Sequence, residues 1–146
     1  MLVSPHITAG VALGVAIGNP VIVIPVAVAS HFILDTVPHW QETLAPYAPT
    51  KKTFIRIPID FAIGGLVVWL ALALQPDHAA SILLGALFAS GADLDVIVIA
   101  HPNLKKGLLA KYWDWHCAIQ RETSSLWGIV PQVAVIGLGV MTIFVA

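Results

Sequence analysis

Apolar stretches separated by short polar punctuation divide the chain into five membrane segments and one amphipathic stretch. The first runs from about Pro5 to Ile17 and ends at Gly18-Asn19-Pro20, a turn signal. The second covers about Val21 to Val37, with Pro25 inside it. Both fall short of the roughly 20 residues of a full crossing, so they read as a short hairpin that tilts, thins the bilayer locally or packs within the other helices. The third, Thr53 to Gln75, and the fourth, Ala79 to Ala100, are each long enough to span, with Gln75-Pro76-Asp77 as a tight connection. Leu108 to Glu122 mixes Trp113 and Trp115 with Lys111, Asp114 and Arg121, the pattern of a helix lying at an interface. Ser124 to Ala146, containing Pro131 and Gln132, is the last span.

No ten-residue stretch alternates apolar with polar, and lipid tolerates only helices or closed barrels. The pattern therefore predicts an all-α integral membrane bundle of about five helices, with an interfacial amphipathic helix before the last span. With no repeat, low-complexity tract or linker, residues 1–146 read as a single transmembrane helical domain.

Composition agrees with lipid as the solvent. Hydrophobic residues make up 58% and charged residues 10%, against roughly 45–50% and about 25% in an ordinary soluble domain. Mean hydropathy is +0.89. A net charge of -1 leaves no basic surface for phosphates, which argues against a nucleic-acid partner. The single cysteine, Cys117, excludes an internal disulfide and a multi-cysteine zinc site, and reads as a small buried hydrophobe. No Lys or Arg precedes the first apolar stretch, which argues against a cleavable leader.

If the segments cross in order, one face receives the N-terminus, the loop from about Trp40 to Lys52 and the stretch from His101 to Glu122. That face holds Lys51, Lys52, Arg56, Lys105, Lys106, Lys111 and Arg121, which is every Lys and Arg in the chain. The positive-inside rule then predicts a multi-pass protein of the cell (inner) membrane with its N-terminus in the cytoplasm. Trp40, Trp113, Trp115 and Trp127 suit an interfacial aromatic belt.

Ionisable residues inside a membrane are expensive and usually face the bundle interior. Here they share one depth, at the basic end. His6 begins the first segment, while His31, Asp35 and His39 close the second. Asp60 lies a few turns into the third, Asp93 and Asp95 approach the end of the fourth, and Asp114 and His116 belong to the amphipathic stretch. His31 and Asp35 are four apart, so both fall on one helix face, and His39 would continue that face although Pro38 disturbs the last turn. Imidazole with carboxylate is a zinc or manganese donor set, and a plain His–Asp hydrogen bond is the other reading. Asp60 either pairs with Arg56 at i−4 or serves a metal, and Gly64 and Gly65 beside it allow close helix approach. Asp93 and Asp95 would diverge by about 200° on a regular helix, so either the backbone opens at Gly91 or one of them only supports the site. His116 would lid the site from the cytoplasm; His78 and His101 lie apart from it.

With PHITAG, SHFILDTVPHW, GADLD and WHCAIQR in view, the chain resembles small membrane proteins related to the membrane-bound metal-dependent hydrolase family. More distantly, its His/Asp usage is similar to zinc-dependent phospholipase C and the allied single-strand nucleases. The resemblance implies metal roles for His6, His31, Asp35, Asp93 and Asp95, and phosphoester hydrolysis. Ala92 stands where that family has a proline before the first aspartate, and the HRGxTHS-type element of the larger hydrolases is absent.

The expectation is an integral membrane hydrolase. His6, His31, Asp35, His39, Asp93 and His116 would ligate Zn²⁺ or another divalent ion such as Mn²⁺, and Asp60 and Asp95 would serve as base and as orienters of an imidazole. A metal-activated water would cleave a phosphoester or lipid headgroup bond. Membrane lipids are the expected partners, a lipid or amphipathic phosphoester the expected substrate, and self-association is compatible with so small a bundle. Two other classes stay open: a transporter or ion-conducting protein using the same cluster, and a structural membrane protein whose His/Asp pairs lock helices. No nucleophile motif of the G-x-S-x-G or Ser-x-x-Lys kind is present.

Overall fold

A computed structural model describes residues 1–41, 51–96, 98 and 101–146. Six α-helices and no strand occur among these residues: α1 Val3–Ile17, α2 Pro20–Asp35, α3 Thr53–Leu74, α4 Ala79–Gly91, α5 Gly107–Ile119 and α6 Ser125–Val145. Part of the expected Trp40–Lys52 loop and part of the expected end of the fourth segment lie outside the described residues.

Turn chemistry sets the α1–α2 hairpin. Gly18 adopts φ 66°, the left-handed conformation that glycine reaches without strain, and its N–H donates to the Gly14 carbonyl at 3.0 Å. Asn19 then caps α2, its side chain accepting from the N–H groups of Val21 at 2.9 Å and Ile22 at 3.3 Å, and Pro20 opens the helix where no donor is needed.

The start of α1 is buried, and its free N–H groups are met by side chains from other helices. Val3 N–H donates to Asp60 Oδ2 at 2.6 Å and Ser4 N–H to Asp60 Oδ1 at 3.1 Å, while Leu2 N–H donates to Gln132 at 3.0 Å. Asp60 of α3 and Gln132 of α6 thus cap α1 in trans.

Helix α1 runs against α2, α3, α4 and α6. It approaches α4 at backbone distance: a Cβ on Gly10 would fall on the Gly85 carbonyl, and one on Gly14 would meet the backbone of Ser81 and Ile82. Gly64 lets Ile7 onto α3, whereas Gly65 faces open space, so only one of that pair serves close approach. The core built around α1 contains Ile7, Val11, Val15, Val67, Ile82 and Ile143.

The fourth segment departs from expectation. Its α-helix stops at Gly91 after 13 residues, and Ala92–Val96 continues as a 3₁₀ helix. Two helices, α3 and α6, are long and apolar enough to cross a membrane by length and composition. Their outward faces are apolar, with Phe54, Leu66 and Trp69 on α3 and Leu126, Trp127 and Phe144 on α6 each at least 60% exposed. A group of ionisable side chains is nevertheless turned inward, since His6, His31, Asp35, Asp95 and His116 are buried, while the lysines and arginines are exposed.

Candidate metal centre

The last turn of α2 brings His31 and Asp35 together. Four residues apart on one face, they place His31 Nε2 at 3.2 Å from Asp35 Oδ2. The ring of His31 is fixed from behind, because its Nδ1–H donates to the Ala89 carbonyl at 2.7 Å. That carbonyl belongs to the last turn of α4, where the α-helical pattern ends and backbone acceptors are left over.

The 3₁₀ segment after α4 answers the geometry of Asp93 and Asp95. At three residues per turn, positions i and i+2 are about 120° apart the shorter way round, whereas the rotation of about 200° on an α-helix leaves them about 160° apart. The two carboxylates accordingly approach His116 of α5 from its two sides. Asp95 Oδ2 accepts from His116 Nδ1–H at 2.8 Å, and Asp93 Oδ1 stands 3.8 Å from His116 Nε2. Tyr112 ties α5 to the same segment by donating its hydroxyl to the Ala92 carbonyl at 2.6 Å, and Phe32 packs on Trp115 with ring centroids 4.8 Å apart. Backbone bonds hold the chain after α5 against the end of α2: Arg121 N–H donates to the Asp35 carbonyl at 3.1 Å, and His39 N–H to the Arg121 carbonyl at 2.9 Å.

Four donor atoms converge as a result. His31 Nε2 lies 3.2 Å from His116 Nε2 and 3.5 Å from Asp93 Oδ1, and His116 Nε2 lies 3.0 Å from Asp35 Oδ2. All four residues offer atoms within 4.8 Å of one another. A tetrahedral ion with bonds of about 2.0–2.2 Å sets its donors about 3.3–3.6 Å apart. The observed spacings surround that range, so the pocket has the size of a small divalent cation.

Tautomers make the case stronger. Both outer ring nitrogens donate to oxygen acceptors, so each Nε2 is a lone-pair donor when its ring is neutral, and a proton on His116 Nε2 is met by Asp35 Oδ2 at 3.0 Å. Two lone pairs 3.2 Å apart, with two carboxylate oxygens beside them, repel unless a proton or a metal ion lies among them. The pKa of His116 registers this pull. Burial would lower it, but hydrogen bonds to Asp35 and Asp95, with the charges of Asp95 and Asp93, raise it to about 9. The Tyr112 phenol is pushed up to about 12, by burial first and then by the carboxylates of Asp95, Asp93 and Asp35. A pocket that holds a proton this firmly is electrostatically suited to a cation.

The other expected site residues fall around this group. His6 is fully buried and stacks on His31 with ring centroids 4.0 Å apart. Its Nε2 stands 3.2 Å from Asp35 Oδ1 but out of line for a hydrogen bond, and its Nδ1 has no hydrogen-bond partner among the described residues. His39 does not extend the His31–Asp35 face, because α2 stops at Asp35 ahead of Pro38; its Nδ1–H donates to the Val37 carbonyl at 2.8 Å. Asp60 is held away from the four donors by its bonds to Val3 and Ser4. Asp95 stands behind His116, in the position of an orienting carboxylate. Cys117, expected to be buried, is exposed on α5.

Sequence reasoning missed the backbone carbonyl of Ala89 and two further polar contacts. Gln120, one turn after His116, offers its amide to His116 Nε2 at 3.4 Å, and the α-amino group of Met1 lies 2.7 Å from Asp35 Oδ1. The i, i+4 spacing of His116 and Gln120 was the available signal for the first. No family model matches this chain, and no match was found among curated proteins or solved structures.

Proposed function

We propose that the chain is an integral membrane, metal-dependent hydrolase acting on a phosphoester of a lipid headgroup or other amphipathic molecule. One observation carries the reading: two imidazole Nε2 atoms 3.2 Å apart, each with its outer N–H committed to an oxygen, meet Asp35 Oδ2 and Asp93 Oδ1 in one buried pocket. His31, Asp35, Asp93 and His116 would hold the ion. Two imidazoles and two carboxylates suit zinc, with manganese as the alternative. A divalent ion here would lower the pKa of a bound water toward about 7 and stabilise negative charge on a phosphoryl oxygen.

The protein's own groups do the rest. Asp95 fixes the tautomer and orientation of His116, and the Ala89 carbonyl does the same for His31. Asp93, 27% exposed where the other donors are sealed, marks the side open to water and substrate. Trp115, Tyr112 and Phe32 pack beside His116 and keep that flank apolar.

The membrane setting is part of the same proposal. Apolar outward faces on α3 and α6 with a cluster of ionisable side chains buried between the helices support a membrane setting. We place α3 and α6 across the bilayer, the α1–α2 hairpin packed beside them and α5 at the interface. The lysines and arginines gather at the end that carries the His/Asp cluster, and by the positive-inside rule this supports a cytoplasmic location for that end and the N-terminus. A cleft of about 450 Å³, lined by Trp40, Arg56, Ile59, Ile63, Ile129 and Val133, includes none of the four donors and suits a lipid chain rather than the reaction. Among the described residues the buried ionisable groups all gather at this one end, which favours a one-sided pocket over a transport path.

Elemental analysis of detergent-purified protein tests the reading, together with hydrolysis of phosphoester lipids in mixed micelles. Stoichiometric zinc or manganese is expected in the unmodified chain and loss of both metal and turnover in His31→Ala and Asp35→Ala. Protein folded but free of metal would overturn it. Metal without turnover would shift the function to transport or binding.

A further inference from the structure

The cleft of about 450 Å³ has walls from α3 and α6 and lies apart from the four donors. On α3 its wall runs from Arg56 to Ile63, and on α6 from Ser125 to Ile136. At 1.5 Å per residue these lengths are about 10 Å and about 16 Å, against a hydrocarbon core about 30 Å thick. The cleft is therefore about one leaflet deep. Ile59 and Ile129 make the stretch below Arg56 apolar, and the start of α1 closes it from behind.

Positive charge stands at the mouth. The Arg56 guanidinium lies 5.4 Å from the centroid of the Trp40 ring, and Trp40 is itself fixed from α6. Gln132 donates its amide to the Trp40 carbonyl at 2.8 Å, and Gly128 admits the Trp40 backbone where a Cβ would clash. Helix α6 begins at the same level, with no acid in its first turn and no side-chain cap from Ser124, so its end adds positive potential. Among the lining residues Asp60 is the one acid, a turn deeper than Arg56. Its two oxygens already accept from the N–H groups of Val3 and Ser4. A guanidinium above an apolar slot of one-leaflet depth is complementary to a phosphate joined to an acyl chain.

We propose that this cleft is a binding site for one anionic phospholipid, with an acyl chain between α3 and α6 and its headgroup phosphate at Arg56. The site rests on the membrane placement of α3 and α6 proposed above and is independent of the four-donor centre. The bound lipid joins the two long helices through the cleft and presents its headgroup at the basic end of the bundle. Trp40 holds the guanidinium at the depth of the phosphate, as aromatic rings do at the edge of the hydrocarbon.

Native mass spectrometry tests the site on the full chain released from mixed micelles with equal phosphatidylglycerol and phosphatidylcholine. One retained phospholipid is expected, with phosphatidylglycerol preferred at least fivefold. Arg56→Gln, at an exposed position, should lower that preference about fivefold with an unchanged helical circular-dichroism signal. Ile129→Trp fills the cleft and should abolish retention, whereas Val130→Trp, at the outward-facing neighbour, should keep it. If Ile129→Trp does not fold, the Arg56→Gln comparison decides alone. Retention of neither lipid, equal retention of both, an unchanged preference in Arg56→Gln, or a lipid-free dimer would overturn the site while leaving the membrane placement standing. A chain that stays in solution without detergent or lipid would overturn both.

Discussion

Replacing Asp95 separates support of the metal from support of the fold. Asp95 touches none of the other three donors in the centre, but its Oδ2 accepts the His116 Nδ1–H at 2.8 Å, and it is 4% exposed. Outer partners of this kind are worth about 10–100-fold in metal affinity, or about 1.4–2.7 kcal/mol. Asp95→Asn keeps an acceptor but removes the charge, so a loss near tenfold is expected. Asp95→Ala also frees the ring, and its loss should approach a hundredfold. Asp60 provides the contrast. It is a buried carboxylate of the same type, yet its oxygens accept from Val3 and Ser4 N–H at 2.6 and 3.1 Å. Asp60→Asn turns an amide NH₂ toward one of these donors, so about 1–3 kcal/mol of stability should go while metal affinity stays within about twofold. Competition of Zn²⁺ against a chromophoric chelator gives the affinities, and thermal melts in the same detergent give the stabilities. The reasoning fails if Asp95→Asn binds zinc as tightly as the unmodified chain, or if Asp60→Asn loses as much affinity as Asp95→Asn.

Other consequences can be checked with the same material. Gly10→Ala should cost about 1–3 kcal/mol by forcing α1 off the Gly85 carbonyl, whereas Gly65→Ala, which meets open space, should leave the melting temperature within a degree or so. Metal uptake should tighten with pH. The His116 proton, held up to about 9, must leave before Nε2 can ligate, so apparent affinity rises up to about tenfold per unit between roughly pH 7 and 9 and levels off above; a flat profile over that range would exclude His116 as a ligand. A membrane-impermeant maleimide should label exposed Cys117 in inside-out vesicles and spare it in right-side-out ones, and the reverse result would invert the proposed topology.

Periodicity carried much of the architecture, because helix lengths and turn residues are local properties. Gly18-Asn19-Pro20 closes one helix and opens the next as its chemistry requires, and the boundaries of α3 and α6 fall within a residue or two of the apolar runs. The i, i+4 pairing of His31 and Asp35 was legible for the same reason. The fourth segment shows where local reading stops. Its apolar run continues past Gly91, but the α-helix gives way to a 3₁₀ helix there, and Asp93 and Asp95 on that 3₁₀ stretch reach His116 from α5. That outcome depends on a contact between residues about twenty apart, which hydropathy does not encode. Asp60 teaches a similar lesson. A carboxylate in an apolar helix invites a metal reading, yet the nearest need for an acceptor came from the buried start of α1, visible only once the helices are packed. The roles of Ala89 and Gly85 were hidden because a backbone carbonyl and a missing Cβ leave little trace in side-chain chemistry.

The most direct test of the centre is X-ray absorption at the zinc edge, on protein loaded with one equivalent of zinc in detergent. A light-atom shell at about 2.0–2.1 Å, with the multiple scattering of two imidazoles that falls to one in His116→Ala, is the predicted result. A hydrated ion with no imidazole scattering, or a spectrum that His116→Ala leaves unchanged, would contradict the account.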